Sequence, residues 1–153
     1  MEKTKILMVC LGNICRSTLA EGILKNKLEA DFFEVDSAGT GDWHVGDPPD
    51  HRSIRIGRDH SIDISRQRGR QIKPEDLDLF DHILVMDRSN YKNVMAMAST
   101  DEQKDKIRMI LDAVFPNENV EVPDPYHGNL TDFENVYQML DEACNAIAQE
   151  LTS

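Results

Sequence analysis

Cys10-Leu11-Gly12-Asn13-Ile14-Cys15-Arg16-Ser17-Thr18 puts a thiol and a guanidinium on either side of five residues, behind the apolar run Ile6–Val9 and ahead of a helix-like stretch beginning at Leu19. A strand-to-helix turn of this composition is a phosphate trap with a nucleophile at its floor. Backbone N–H groups converge in such a loop, and the positive end of the following helix adds to their field. The field that holds a phosphate dianion also stabilises a thiolate at Cys10, the reactive form of cysteine. Arg16 can return to the loop's mouth and grip two phosphate oxygens with its planar fork. Ser17 can donate to the Cys10 sulfur and stabilise it as a leaving group. Gly12 and Asn13 tolerate the left-handed angles that a tight loop demands. The plainer alternative is an ordinary βα turn with a buried cysteine; strand, helix, Gly-Asn and Ser-Thr around the pair weigh against it.

CLGNICRST resembles the signature loop of the low-molecular-weight protein tyrosine phosphatases. The resemblance continues through Asp36-Ser37-Ala38-Gly39-Thr40, Val45-Gly46-Asp47-Pro48-Pro49-Asp50, Ile83-Leu84-Val85-Met86-Asp87-Arg88-Ser89-Asn90 and Pro123-Asp124-Pro125-Tyr126, from about Lys5 to Leu151. It implies a protein tyrosine phosphatase working through a cysteinyl-phosphate intermediate, with Cys10 as nucleophile and Arg16 binding phosphate. Asp124 is then general acid and afterwards base. Leu11, Gly12, Asn13, Ile14, Cys15 and Ser17 cradle the phosphate, and Trp43 and Tyr126 wall the aromatic ring. Chemistry supports the acid independently. Attack on phosphorus expels a phenolate whose conjugate acid has a pKa of about 10, and a carboxylic acid over the leaving oxygen is worth roughly 10²–10⁴-fold. The flanking prolines stiffen the backbone that aims Asp124.

The resemblance also raises rivals. An arsenate reductase shares the loop but passes oxidation to a further cysteine pair, whereas Cys144 falls on the apolar stripe of the last helix. Relatives acting on phosphoarginine tend to carry Thr where Ile14 stands, so Ile14 favours phosphotyrosine. A silent phosphotyrosine-binding module would need only the cradle and Arg16, not the nucleophile and acid together. Cys15 could close a reversible bridge on an oxidised Cys10, which would make the enzyme redox-sensitive, or be merely a small buried residue. Trp43 could alternatively cap the core. Gln67 stands where the family has a histidine bonding the loop asparagine, so Asn13 is expected to be held through Ser17 and Ser37. His127 replaces the second of two adjacent tyrosines, which removes the family's usual pair of phosphorylation sites.

Positioning these groups requires an α/β fold. Apolar runs alternate with helical patterns, which predicts a single-domain four-stranded parallel sheet with helices on both faces, spanning residues 1–153. Strands are expected over Lys5–Val9, Phe32–Ser37, His82–Met86 and Ile107–Leu111, the first lacking alternation and so buried on both faces. Helices are expected over Thr18–Ala30, Asp50–His60 and Arg88–Ala98. A last helix opens with a capping box at Thr131-Asp132-Phe133-Glu134 and carries a stripe of Phe133, Val136, Tyr137, Leu140, Cys144, Ile147 and Leu151. In such sheets ligands bind beyond the carboxyl ends of the strands, where the Cys10 loop falls.

At 153 residues and 17.4 kDa the chain is large enough for a proper core. A formal charge of −11 argues against nucleic acid as a partner. Residues 51–73 run the other way, with seven basic side chains (Arg52, Arg55, Arg58, Arg66, Arg68, Arg70, Lys73) against Asp59 and Asp63. These are either solvated faces paired with acidic neighbours or a basic lip attracting phosphosubstrates. The five histidines lack metal-ligand spacing and no Gly-Lys-Ser/Thr phosphate loop occurs, so neither metal nor other cofactor is expected. The opening residues are too short for a secretory signal and no apolar run could span a membrane. Three cysteines cannot all pair, and one is wanted as a thiolate, so a cytoplasmic location is expected. The expected partners are phosphotyrosine proteins and a cognate tyrosine kinase.

Overall fold

The computed structural model describes residues 2–153 and has four parallel strands in the order β2-β1-β3-β4. They are β1 (Thr4–Cys10), β2 (Phe33–Gly39), β3 (His82–Val85) and β4 (Ile107–Met109). Six α-helices connect and cover them: α1 (Arg16–Lys27), α2 (His51–Asp59), α3 (Asp76–Leu79), α4 (Arg88–Met97), α5 (Asp101–Asp105) and α6 (Leu130–Thr152). The expected fold class is the observed one.

β1 lacks hydrophobic alternation because both its faces are buried. Ile6 and Met8 enter a core built with α1, α2 and α6, while Leu7 and Val9 enter a second core with Leu77, Val94 and Phe80 on the opposite face. Parallel sheets covered on both sides produce such unbroken apolar runs. α6 supplies Phe133, Val136, Leu140, Cys144 and Ile147 to the first core, and Leu151 packs at its edge, which is the stripe read from the sequence.

The differences lie at element ends and in the short helices. α1 stops at Lys27 rather than Ala30, because the Glu29 carbonyl accepts from Phe32 and Phe33 in a turn that redirects the chain into β2. β4 ends at Met109, and Ile110–Ala113 continue as a 3₁₀ turn. α6 starts one residue before the predicted Thr131. Its capping box is formed by Asn129 and Asp132, each side chain bonding the other's backbone N–H. α3 and α5 have no counterpart in the sequence reading. Among the described residues, no helix is long and apolar enough to cross a membrane.

Candidate active site

β1 is a central strand, and it delivers Cys10 to the carboxyl edge of the sheet, opposite Gly39 of β2. Residues 11–15 then curl back before α1 begins. Asn13 takes the turn in the left-handed region at φ 58°. Gly39 is required on the facing strand, since a Cβ there would lie 2.7 Å from the Leu11 carbonyl oxygen. The loop is pinned from outside by Thr40 N–H to the Cys10 carbonyl and Gly41 N–H to that of Leu11, both at 2.9 Å. Asp50 N–H holds the Ile14 carbonyl at 2.9 Å, and Ser53 Oγ donates to that of Cys15 at 3.2 Å.

The carbonyls of Cys10, Leu11, Ile14 and Cys15 are thus occupied while the loop's donors are not. Among the described residues, the N–H groups of Leu11 to Cys15 donate to no protein acceptor. α1 has no side-chain cap and no acidic residue in its first turn. Uncapped helix donors and a free ring of amides form an anion site.

Arg16 is buried, with its side chain 3 % exposed. Nη1 donates to Asp87 Oδ2 at 2.7 Å and to the Val122 carbonyl at 3.0 Å. Nε and Nη2 have no hydrogen-bond acceptor among the described residues, and this edge of the guanidinium remains for a bidentate grip on an oxyanion. Burial works to lower its pKa, but Cys10, Asp87 and Asp124 together outweigh burial and raise it. Asp124 is 46 % exposed, and its Oδ2 stands 3.9 Å from Arg16 Nη2. Tyr126 N–H donates to Asp124 Oδ1 at 3.1 Å and restrains the carboxylate.

Cys10 Sγ lies 3.1 Å from Ser17 Oγ, and hydrogen-bond directions along a buried chain determine which one donates. Arg70 N–H donates to Asn13 Oδ1 at 3.0 Å, which fixes the amide orientation. Asn13 Nδ2 then donates to both Ser17 Oγ, at 2.8 Å, and Ser37 Oγ, at 2.9 Å. Ser37 Oγ in turn donates a hydrogen bond to Glu21 Oε1 at 2.6 Å, and Lys25 Nζ closes the chain on Glu21 Oε2 at 2.6 Å. Ser17 therefore accepts from Asn13 and has its proton free for the Cys10 sulfur. Burial raises the Glu21 pKa, against the pull of the Lys25 and Ser37 hydrogen bonds. Asn13 is held through Ser17 and Ser37 as expected, with the Arg70 backbone as a further partner. Gln67 does not substitute for the missing histidine: its Nε2 donates to the Thr18 carbonyl at 3.0 Å, and its Oε1 is buried without a partner.

The predicted site residues converge on one pocket of about 230 Å³ lined by Cys10, Leu11, Gly12, Ile14, Cys15, Arg16, Trp43, Asp124 and Tyr126. Asn13 and Ser17 act behind this wall. Trp43 is 70 % exposed at the mouth, which removes the alternative that it caps the core. His44 and His127 also line the pocket; His44 carries no signal in the sequence, and His127 stands out there only as the replacement of a tyrosine. Asp87 and Arg52 were missed for another reason, since each reaches the site through a partner distant in sequence. None of the seven basic residues of 51–73 lines the pocket. Arg52 pairs with Asp50, and Arg70 with Asp36 and Asp76, which favours the structural reading over the basic lip.

Cys15 is buried, and that burial, with Asp50 and Cys10 adding, pushes its thiol far up. Cys144 is fully buried on α6, its pKa pushed up to about 12 by desolvation, in no position to relay oxidation from the loop. All three cysteines are free thiols.

A family model described as low molecular weight phosphotyrosine protein phosphatase matches residues 5–153. A low molecular weight protein-tyrosine-phosphatase of Bacillus subtilis is 38 % identical over 147 residues, covering 93 % of this chain and 92 % of that protein. The crystal structure of a protein tyrosine phosphatase from Entamoeba histolytica, with Hepes in its active site, superposes with a TM-score of 0.91. It is 33 % identical, with 97 % of each chain covered. Wzb of Vibrio vulnificus, in complex with benzylphosphonate, superposes with a TM-score of 0.87 at 29 % identity, covering 97 % of this chain and 99 % of that one.

Proposed function

The chain belongs to the low-molecular-weight phosphotyrosine protein phosphatase family, and from that premise we propose how its own residues carry the reaction. The substrate is phosphotyrosine on a protein, and related aryl phosphates. The observation that carries the reading is the convergence of three groups on one pocket: Cys10 at 2 % exposure on the floor, the free edge of Arg16 beside it, and Asp124 at the rim.

The phosphate enters the ring of loop amides, with Nε and Nη2 of Arg16 on two of its oxygens. Cys10 Sγ attacks phosphorus while the bond to the phenolic oxygen breaks, and Asp124 gives its proton to that oxygen as it leaves. The product is tyrosine and a cysteinyl phosphate. The ionised Asp124 then takes a proton from water, whose oxygen attacks phosphorus. The thiolate departs with Ser17 O–H directed at it, and inorganic phosphate is released. Charge builds on the equatorial oxygens in both steps, where amides and guanidinium are already in place, and preorganised donors of this kind contribute most in many enzymes. No metal is needed at any point.

Trp43 and Tyr126 stand at the mouth above Cys10, where the ring of an aryl phosphate would lie against them. This favours phosphotyrosine over the shorter phosphoserine. The V. vulnificus relative, with a benzylphosphonate bound, fits a cleft of that shape. The protein acts as one domain in the cytoplasm, opposite a tyrosine kinase that makes its substrates. Cys15 shelters an oxidised Cys10 as a reversible disulfide.

Phosphate release from matched phosphotyrosine, phosphoserine and phosphoarginine peptides, without metal, tests the reading. Release is expected from phosphotyrosine alone, abolished in Cys10→Ser and lowered roughly 10²–10⁴-fold in Asp124→Ala. Full activity in Cys10→Ser, or a preference for phosphoarginine, would overturn it.

A further inference from the structure

The segment that carries Asp124 has little to hold it. Residues 123–128 contain no helix or strand, and most of them are exposed. Their own hydrogen bonds are internal, Gly128 N–H to the Pro125 carbonyl and Tyr126 N–H to Asp124 Oδ1. Among the described residues, the only hydrogen bonds reaching this segment from elsewhere in the chain come from one side chain, Arg52. Its Nη2 donates to the Tyr126 carbonyl at 2.9 Å and its Nη1 to the Gly128 carbonyl at 3.1 Å.

Arg52 is itself fixed from the other side. Nε and Nη2 donate to the two oxygens of Asp50 at 3.0 and 2.9 Å, a bidentate pair that keeps the guanidinium in one plane. Asp50 caps α2 by accepting from Arg52 N–H, and its own N–H holds the Ile14 carbonyl of the phosphate loop. The guanidinium carbon lies 4.4 Å from the Phe133 ring centroid and 5.7 Å from that of Tyr126. One rigid fork thus spans the phosphate loop and the acid segment.

We propose that Arg52 is a positioning residue that sets Asp124 over the leaving-group oxygen by tying the carbonyls of Tyr126 and Gly128 to the Asp50 cap of the phosphate loop. The proposal rests on the reading of Asp124 as general acid. Arg52 does not line the pocket, so it touches neither phosphate nor ring. Its effect on Asp124 passes through proton delivery, which matters only when the leaving group is poor, whereas a shift of the Tyr126 wall or of the phosphate loop would cost every substrate alike. The acid itself is worth about 10²–10⁴-fold, and a misplacement forfeits a share of that.

The experiment measures kcat/KM on aryl phosphates whose phenols range from nitrophenol-like acidity to that of tyrosine, with wild type, Arg52→Met, Arg52→Lys, Asp124→Ala and the Arg52→Met/Asp124→Ala double variant. Arg52→Met is expected to lose about ten- to a hundredfold on the poorest leaving group and less than about threefold on the best. Arg52→Lys, which keeps the charge over the rings but not the fork, falls between. In the Asp124→Ala background Arg52→Met costs less than about twofold further, because the group it places is gone. Circular dichroism melts accompany each variant, and if Arg52→Met does not fold, Arg52→Lys decides by the same criterion. Equal losses across the series, or full additivity with Asp124→Ala, would overturn the positioning role. Wild type that releases no phosphate from any aryl ester, or Asp124→Ala equal to wild type on the poorest leaving group, would instead sink the mechanism on which it rests.

Discussion

Replacing Ser37 by alanine removes one oxygen, yet that oxygen links a buried carboxylate to the phosphate loop. Ser37 is 4 % exposed and Glu21 also 4 %. Without the hydroxyl, Glu21 Oε1 loses a 2.6 Å donor and Asn13 Nδ2 loses a 2.9 Å acceptor. A hydrogen bond to a charged group contributes about 1.5–3 kcal/mol, and an orphaned buried N–H costs about 1–3 kcal/mol. The two losses share a site and do not add fully, so the expected destabilisation at neutral pH is about 3 kcal/mol. For a domain of this size that lowers the melting temperature by about 6–12 °C. Loosening Asn13 in its left-handed conformation should also cost about tenfold in kcat/KM for an aryl phosphate, equivalent to about 1.4 kcal/mol.

The pH dependence gives this prediction a second edge. Burial raises the Glu21 pKa above its ordinary value, so the folded chain holds that proton more tightly than the unfolded chain. Stability from this group is therefore present below the ordinary carboxyl pKa and is lost as pH rises through the folded value. The Ser37 hydrogen bond pulls the folded value down, and its removal lifts that value and widens the window of loss. Urea denaturation of both proteins at pH 5 and pH 8 should find the Ser37→Ala deficit clearly larger at pH 8. A deficit under about 1 kcal/mol, or one equal at both pH values, would refute the polarity assigned to the chain from Glu21 to Cys10.

One further substitution and one labelling experiment address different links. Asp87→Asn keeps an oxygen for the N-cap of α4 but sets an amide N–H against the buried Arg16 Nη1, and should raise the inhibition constant of inorganic phosphate about tenfold, about 1.4 kcal/mol, and lower the melting temperature as well. An unchanged constant would mean that the Val122 carbonyl alone holds the guanidinium. Cys144, fully buried with its thiol pushed up to about 12, should resist alkylation at pH 8 in the folded protein and react on denaturation. Mass mapping after iodoacetamide treatment checks this, and prompt labelling of Cys144 under native conditions would contradict the packing of α6 on α1.

The parts of this molecule that the sequence discloses are those whose cause is local. Five residues between Cys10 and Arg16, with Gly-Asn inside, already require a tight anion loop. Asp124 is found because prolines on both sides mark it. α5 carries a local signal of its own, since Thr100 and Gln103 form a capping box three residues apart. α3 carried none, because a four-residue helix cannot pay for its own nucleation and exists only where Leu77 is buried against the sheet. At α6 two competent caps lie two residues apart; Asp132 returns its side chain to the Asn129 backbone, while Glu134, the return partner Thr131 would need, is bonded to His60 and Gln138. What remains hidden is the pairing of chemically ordinary groups across long separations. Arg16 meets Asp87 from 71 residues away, and Arg52 meets the Tyr126 carbonyl from 74. Among 17 basic and 28 acidic residues no sequence pattern selects those partners. The sheet selects them, by ending β1 and β3 at the same edge and by setting the N-terminus of α2 against the phosphate loop. The reactive groups of this site are therefore written locally, while the groups that hold them at the right distance are fixed only by the fold.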